Sequence, residues 1–133
     1  MGTLEEARKY FANDRYATEA TGIVIDSIGQ DAVRCSLVLE DKHRNAIGGV
    51  MGGVIYTLAD FAFAVASNFG REVNTVSVVG TASFLSATKG NILYAEAKLL
   101  KDGRSTCFYE VNVTDDLGRL IAVVNFNGAH ISK

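Results

Sequence analysis

The spacing of apolar positions changes repeatedly along the chain, and each change marks an element. Leu4, Ala7 and Phe11 fall on one helical face while Glu5, Glu6, Arg8 and Lys9 lie elsewhere, which predicts a short amphipathic helix. From Ala20 to Ile28 the pattern turns β-like, and Gly29-Gln30-Asp31 has the composition of a hairpin turn. Residues 32–40 then alternate, with Val33, Cys35, Leu37 and Leu39 on one face and Arg34, Ser36 and Glu40 on the other. A polar loop over 41–48 delivers the chain to a run at 46–69 that is apolar almost all round, with Gly70 placed to cap it. Four strands are expected next, at about 73–86, 91–101, 105–115 and 119–130, separated by turn-forming Lys89-Gly90-Asn91, Lys101-Asp102-Gly103 and Asp115-Asp116-Leu117-Gly118.

A helix with no polar face must be covered, and a long antiparallel sheet can cover it. The expectation is an α+β fold in which a curved antiparallel sheet wraps a long central helix. The 133 residues contain no repeat, linker or low-complexity tract, so they read as one domain spanning 1–133. A transmembrane reading of 46–69 fails on its opening glycines and on Asp60 near its middle. An acidic residue at a bilayer centre costs about 2.5–3.5 kcal/mol on insertion scales.

Composition narrows the function classes. A hydrophobic fraction of 48% with 21% charged residues is ordinary for a globular chain. A net charge of −2 supplies no global basic field, which argues against nucleic acid as the main partner. Cys35 and Cys107 both sit in strand-like apolar contexts and read as buried thiols in a reducing cytoplasm. His43 and His130 lie too far apart in sequence to suggest a metal pair, and both read as surface or turn residues. The charged first residues hold no apolar signal core, and no membrane association is expected.

The candidate chemistry lies in residues 46–69, where Asp60 is the only charged residue. A carboxylate in such a setting must be hydrogen-bonded, shift its pKa, or serve a reaction. Just upstream, Gly48, Gly49, Gly52 and Gly53 leave backbone N–H groups unshielded where the helix begins. A bare helix N-terminus attracts an anion or a polarised carbonyl. A donor cluster for an oxyanion and a carboxylate about two turns along the same helix are two parts of an acyl-transfer site.

Those residues carry a family resemblance. Asn45-Ala-Ile-Gly48-Gly-Val-Met51-Gly52-Gly53, followed by Leu58-Ala59-Asp60, resembles the N-x-x-G-x-x-H-G-G…L-A-D signature of hotdog-fold thioesterases, nearest to their phenylacetate-pathway and human thioesterase-superfamily branch. The likeness extends from about Thr21 to Ile131, because strand order and turn positions match too. It implies an acyl-CoA thioesterase with coenzyme A as part of the substrate and no metal or redox cofactor. By the same resemblance, Gly52 polarises the thioester carbonyl, Asp60 activates water or attacks, Asn45 orients substrate or water, and Ser77 assists the carboxylate. The family places Asn45 and Gly52 on one subunit and Asp60 and Ser77 on its neighbour, in a homodimer or homotetramer.

Two positions depart from the pattern. Met51 stands where the signature has histidine, and methionine can neither titrate nor donate a strong hydrogen bond. Ala87 stands where many relatives have proline. Met51 therefore keeps a second reading open, a non-catalytic acyl-CoA binder. A hotdog dehydratase fits less well, because such sites depend on a catalytic histidine. Among Arg71, Lys89, Lys101 and Arg104, Lys89 is the best candidate for the coenzyme A phosphates. Tyr56, Phe61, Phe63 and Phe84 are expected to build core or line an acyl tunnel.

Overall fold

The computed structural model describes residues 2–30 and 32–131; Asp31, the third residue of the expected hairpin turn, lies outside the described residues. Helix α1 spans Leu4–Phe11, as the spacing predicts. Thr3 caps it: its hydroxyl accepts the Glu6 N–H at 3.1 Å while the Glu6 carboxylate accepts the Thr3 N–H at 3.0 Å. Arg8 Nε donates to the Ile25 carbonyl at 2.8 Å, which ties α1 to strand β1 (Val24–Ile28).

The start of the first strand differs from the sequence expectation. Tyr16–Thr21 form one π-helical turn that closes at Gly22, whose φ of 95° lies in the left-handed region. Ala20 and Thr21 therefore precede the strand rather than open it. Strand β2 covers Ala32–Val38, a 3-10 turn covers Asp41–His43, and α2 covers Gly52–Asn68. Strands β3 (Asn74–Phe84), β4 (Ile92–Asp102), β5 (Thr106–Asp115) and β6 (Leu120–Ile131) follow.

The six strands form one antiparallel sheet in the order β1-β2-β4-β5-β6-β3. Helix α2 lies across one face and touches β2 through β6, which is the hotdog arrangement. Leu58, Ala59, Ala62 and Val65 of α2 are wholly buried against inward residues such as Leu37, Ala95, Val111, Val113 and Val124. Cys35 and Cys107 are buried and unpaired, and burial, with Asp26 adding, pushes the Cys35 thiol up to about 12. A thiol held that high is not a nucleophile at neutral pH, so the structural reading of Cys35 stands.

Strand β3 forms an edge, and a bulge sets which way its residues face. The register pairs Ser77 with Gly128 but Val79 with Asn127, leaving Val78 as the extra residue. Gly80 pairs with Phe126, and Phe126 and Gly128 are both buried on the helix side of the sheet. Ser77 therefore shares the helix-facing side with Gly80 and Thr75. Without the inserted residue it would face outward with Val79, so the bulge re-aims one side chain.

Candidate functional site

The head of α2 is a platform of free donors. The loop leading to it is held by Asn45, whose Oδ1 accepts the N–H groups of Ile47 at 3.2 Å and Gly49 at 3.0 Å. Gly48 takes a φ of 88°, a conformation that suits glycine, and the loop folds back so that Asn45 N–H donates to Gly49 O at 2.7 Å. With Oδ1 engaged, Asn45 Nδ2 has no acceptor among the described residues and remains available as a donor. Met51 N–H donates to the His43 carbonyl at 2.9 Å, so α2 begins at Gly52 without a side-chain cap. The N–H groups of Gly52 and Gly53 have no acceptor among the described residues, and no acidic residue sits in the first turn. The positive end of the helix dipole is thus uncompensated and accessible.

Asn45 and Gly52 line one cavity of about 390 Å³, together with Ile47, Val50, Ile55 and Phe84. Ser86 and Thr88 add polar groups to its wall. Of the two readings for Phe84, core or tunnel wall, the core is excluded: it is 55% exposed, and its ring lies where a Cβ on Gly52 would come within 3.2 Å. Lys89 follows Thr88 and is exposed, with no ion pair among the described residues. Met51 is half exposed, and its Cε lies where a Cβ on Gly53 would come within 2.8 Å.

Asp60 is on α2 but not at this cavity. Eight residues separate it from Gly52, about 12 Å along the helix axis. Asp60 is half-buried and makes no hydrogen bond or ion pair among the described residues. Burial holds its carboxyl above the ordinary carboxylate range, and Asp14 adds to the effect. Asp14 is raised by burial as well. Tyr56, one turn before Asp60, has its phenol pushed up by burial and then by the Asp60 charge. Ser77 lies on the helix-facing side of β3 and is exposed at the edge, with no hydrogen bond to Asp60.

The structure thus divides the four candidate site residues into two groups. Asn45 and Gly52 meet at the head of α2; Asp60 lies farther along the helix and Ser77 on the edge strand β3. Asp14 is an addition to the sequence candidates, and Tyr56, expected as core or tunnel wall, joins it within electrostatic reach of Asp60. Asp14 lies in a connector with no periodic pattern, and only the fold brings it near α2. The nearness of Tyr56 to Asp60 is legible in the spacing, since Gly52, Tyr56 and Asp60 recur every four residues along one strip.

Both histidines are more structural than the sequence suggests. His43 is 2% exposed: Nδ1 accepts the Glu40 N–H at 2.9 Å, which leaves the proton on Nε2 to donate to Thr21 O at 2.8 Å. His130 bridges Thr75 Oγ1 and Asp102 Oδ1, each at 2.8 Å. Neither imidazole lines the cavity at the head of α2. The described residues include no cluster of metal-ligating side chains and no helix long and apolar enough to cross a membrane.

Comparison with known proteins places these features in a wider set. The sequence profile of the Thioesterase superfamily matches residues 47–122, which span the α2 head, Asp60 and Ser77. Human acyl-coenzyme A thioesterase 13 is 32% identical over 124 residues, covering 90% of this chain and 89% of the relative. A crystal structure of a Haemophilus influenzae thioesterase superposes with a TM-score of 0.90 at 20% identity, covering 99% of this chain and 92% of the other. A Streptococcus mutans protein, solved bound to acetyl CoA, superposes with a TM-score of 0.77 at 25% identity, covering 84% and 90%.

Proposed function

The chain belongs to the thioesterase superfamily and is a thioester hydrolase, and we propose that it cleaves acyl-CoA at a site completed by two copies of the chain. One observation carries this reading: Gly52, with its unpaired N–H, and Asn45, with its free Nδ2, line one cavity at an uncompensated helix N-terminus. In that position the thioester oxygen accepts from Gly52 N–H and Asn45 Nδ2. The donors strengthen as negative charge develops on the oxygen in the transition state.

Hydrolysis also needs a base or nucleophile, and the chain's own Asp60 is about 12 Å from Gly52 along the axis. A second copy resolves the mismatch. Strand β3 offers an unpaired edge, with Val76, Val78 and Val79 between 47% and 66% exposed. An exposed apolar edge is a template for another strand. Pairing β3 with its symmetry mate brings Asp60 and Ser77 of one copy to Asn45 and Gly52 of the other. Asp60 then takes a proton from water as the water attacks the carbonyl, and the thiolate of coenzyme A leaves and is protonated; alternatively the carboxylate attacks first and the resulting anhydride is hydrolysed. Lys89, beside the polar wall of the cavity, meets the phosphates of coenzyme A.

The relatives' names and the acetyl CoA bound in the S. mutans protein support the substrate class. Thiol release from short, medium, long-chain and aryl acyl-CoAs tests the assignment. The expected result is turnover of at least one class; thermal stabilisation by coenzyme A with no thiol release across the panel would instead make the protein a binder, the reading that Met51 favours.

The same site sets a pH dependence. Asp60 acts only as the carboxylate, and burial together with Asp14 raises its pKa. Activity is therefore lost, as pH falls, at a higher pH than an ordinary aspartate would give. Asp14→Asn removes the neighbouring negative charge, so the acid limb of kcat moves to lower pH. A limb that stays in place would show that Asp14 does not act on the catalytic ionisation.

A further inference from the structure

Tyr56 sits midway on the strip that joins Gly52 to Asp60, and its environment is built around its bulk. Its ring is 5.6 Å from Phe126, which in turn stacks on Phe63 at 4.7 Å. Its hydroxyl lies directly against Gly80 of β3, so that a Cβ at position 80 would collide with it. Gly80 carries no positive φ, so turn geometry does not demand glycine there. A glycine in mid-strand marks a close approach, and here the approaching group is a tyrosine tip. The phenol has no hydrogen-bond partner among the described residues, and the ring is only half-buried in the single chain. A large aromatic seated by a dedicated glycine, yet left incompletely covered, is a wall waiting for something to pack against it.

Resting on the thioesterase reading above, the direction of the substrate follows from polarity. The cavity on the Asn45 side has polar groups at Ser86 and Thr88, with Lys89 beyond, which suits the amide and phosphate arm of coenzyme A. The acyl group leaves the carbonyl on the other side, along the strip of α2 that the Tyr56 ring occupies. Tyr56 is four residues from Gly52, about 6 Å along the axis, or roughly four to five carbon–carbon bonds of extended chain. We propose that Tyr56, seated on Gly80, closes the acyl channel and restricts the enzyme to compact acyl groups.

The test is kcat/KM for a chain-length series from acetyl-CoA to palmitoyl-CoA in wild type, Tyr56→Phe and Tyr56→Ala. Wild type is expected to favour acyl groups of about six carbons or fewer, by the length given above. Tyr56→Phe keeps the wall and keeps that profile. Tyr56→Ala opens the channel and raises the octanoyl-to-butyryl ratio by about tenfold or more, the scale on which hydrophobic pockets discriminate added methylenes. Should Tyr56→Ala fail to fold, Tyr56→Leu, which keeps apolar volume against Phe126 but ends short of Gly80, is expected to shift the ratio in the same direction. An unchanged ratio in whichever folded variant is measured, or a wild-type preference for long chains, overturns the proposal. These outcomes differ from failure of the thioesterase reading, in which wild type releases no thiol from any member of the series.

Discussion

Asp60→Asn is expected to reduce turnover by ~10²–10⁴-fold, the usual worth of a positioned general base, while leaving the fold intact. Asparagine keeps the shape of the side chain but can neither take a proton nor attack the thioester. The fold does not depend on the charge, because Asp60 has no hydrogen bond or ion pair among the described residues. Burial raises its pKa, so the folded state favours the protonated form. That contribution is full below the unfolded-state pKa and is lost as pH rises through the folded-state value. Where it is ionised the carboxylate therefore opposes folding, and the neutral amide melts no lower than wild type. The check is kcat under saturating acyl-CoA beside a thermal melt at the same pH. Near-full turnover in a folded Asp60→Asn protein would remove Asp60 from the mechanism.

Much of the fold is legible in the sequence because periodicity and turn chemistry agree locally. The Leu4–Phe11 helix carries both its apolar spacing and its capping box in a few residues. The last four strands are delimited by glycine-containing turns or loops, and their observed ends fall within about two residues of expectation, the usual scale of boundary error. The π-helical turn at Tyr16–Thr21 is not legible, because Ala-Thr-Glu-Ala-Thr has no decisive period and packing against α2 decides its conformation. The long helix reads correctly in kind but starts later than its apolar run, since residues 46–51 serve the Asn45 loop rather than the helix.

The site is legible in part for the same reason. Gly52 and Asn45 announce themselves because the loop chemistry is local. Asp60 stands out as the one charge in an apolar run. The orientation of Ser77 depends on a bulge whose position follows from pairing with β6, and strand alternation alone would turn it outward. The exposure of Phe84 follows from its place on an edge strand, a property of sheet order that no single segment encodes. His43 is misread as exposed for a related reason: its partners, Glu40 and the carbonyl of Thr21, come together only when the π-helical turn docks.

Mixed subunits measure directly whether the site is divided between two copies of the chain. Asn45→Ala removes one donor to the oxyanion, a loss worth ~10²–10³-fold, and Asp60→Asn removes the base. Within a dimer of one copy of each variant, the intact Asn45 of the Asp60→Asn chain faces the intact Asp60 of the Asn45→Ala chain, while the other site carries both lesions. Equal mixing with full exchange puts one good site in each mixed dimer, so activity is expected to recover to about one quarter of wild type. Exchange is verified by co-purification of two differently tagged chains. Recovery to that level would establish a site shared across the interface; activity equal to the mean of the two inactive parents, in demonstrably mixed dimers, would contradict it.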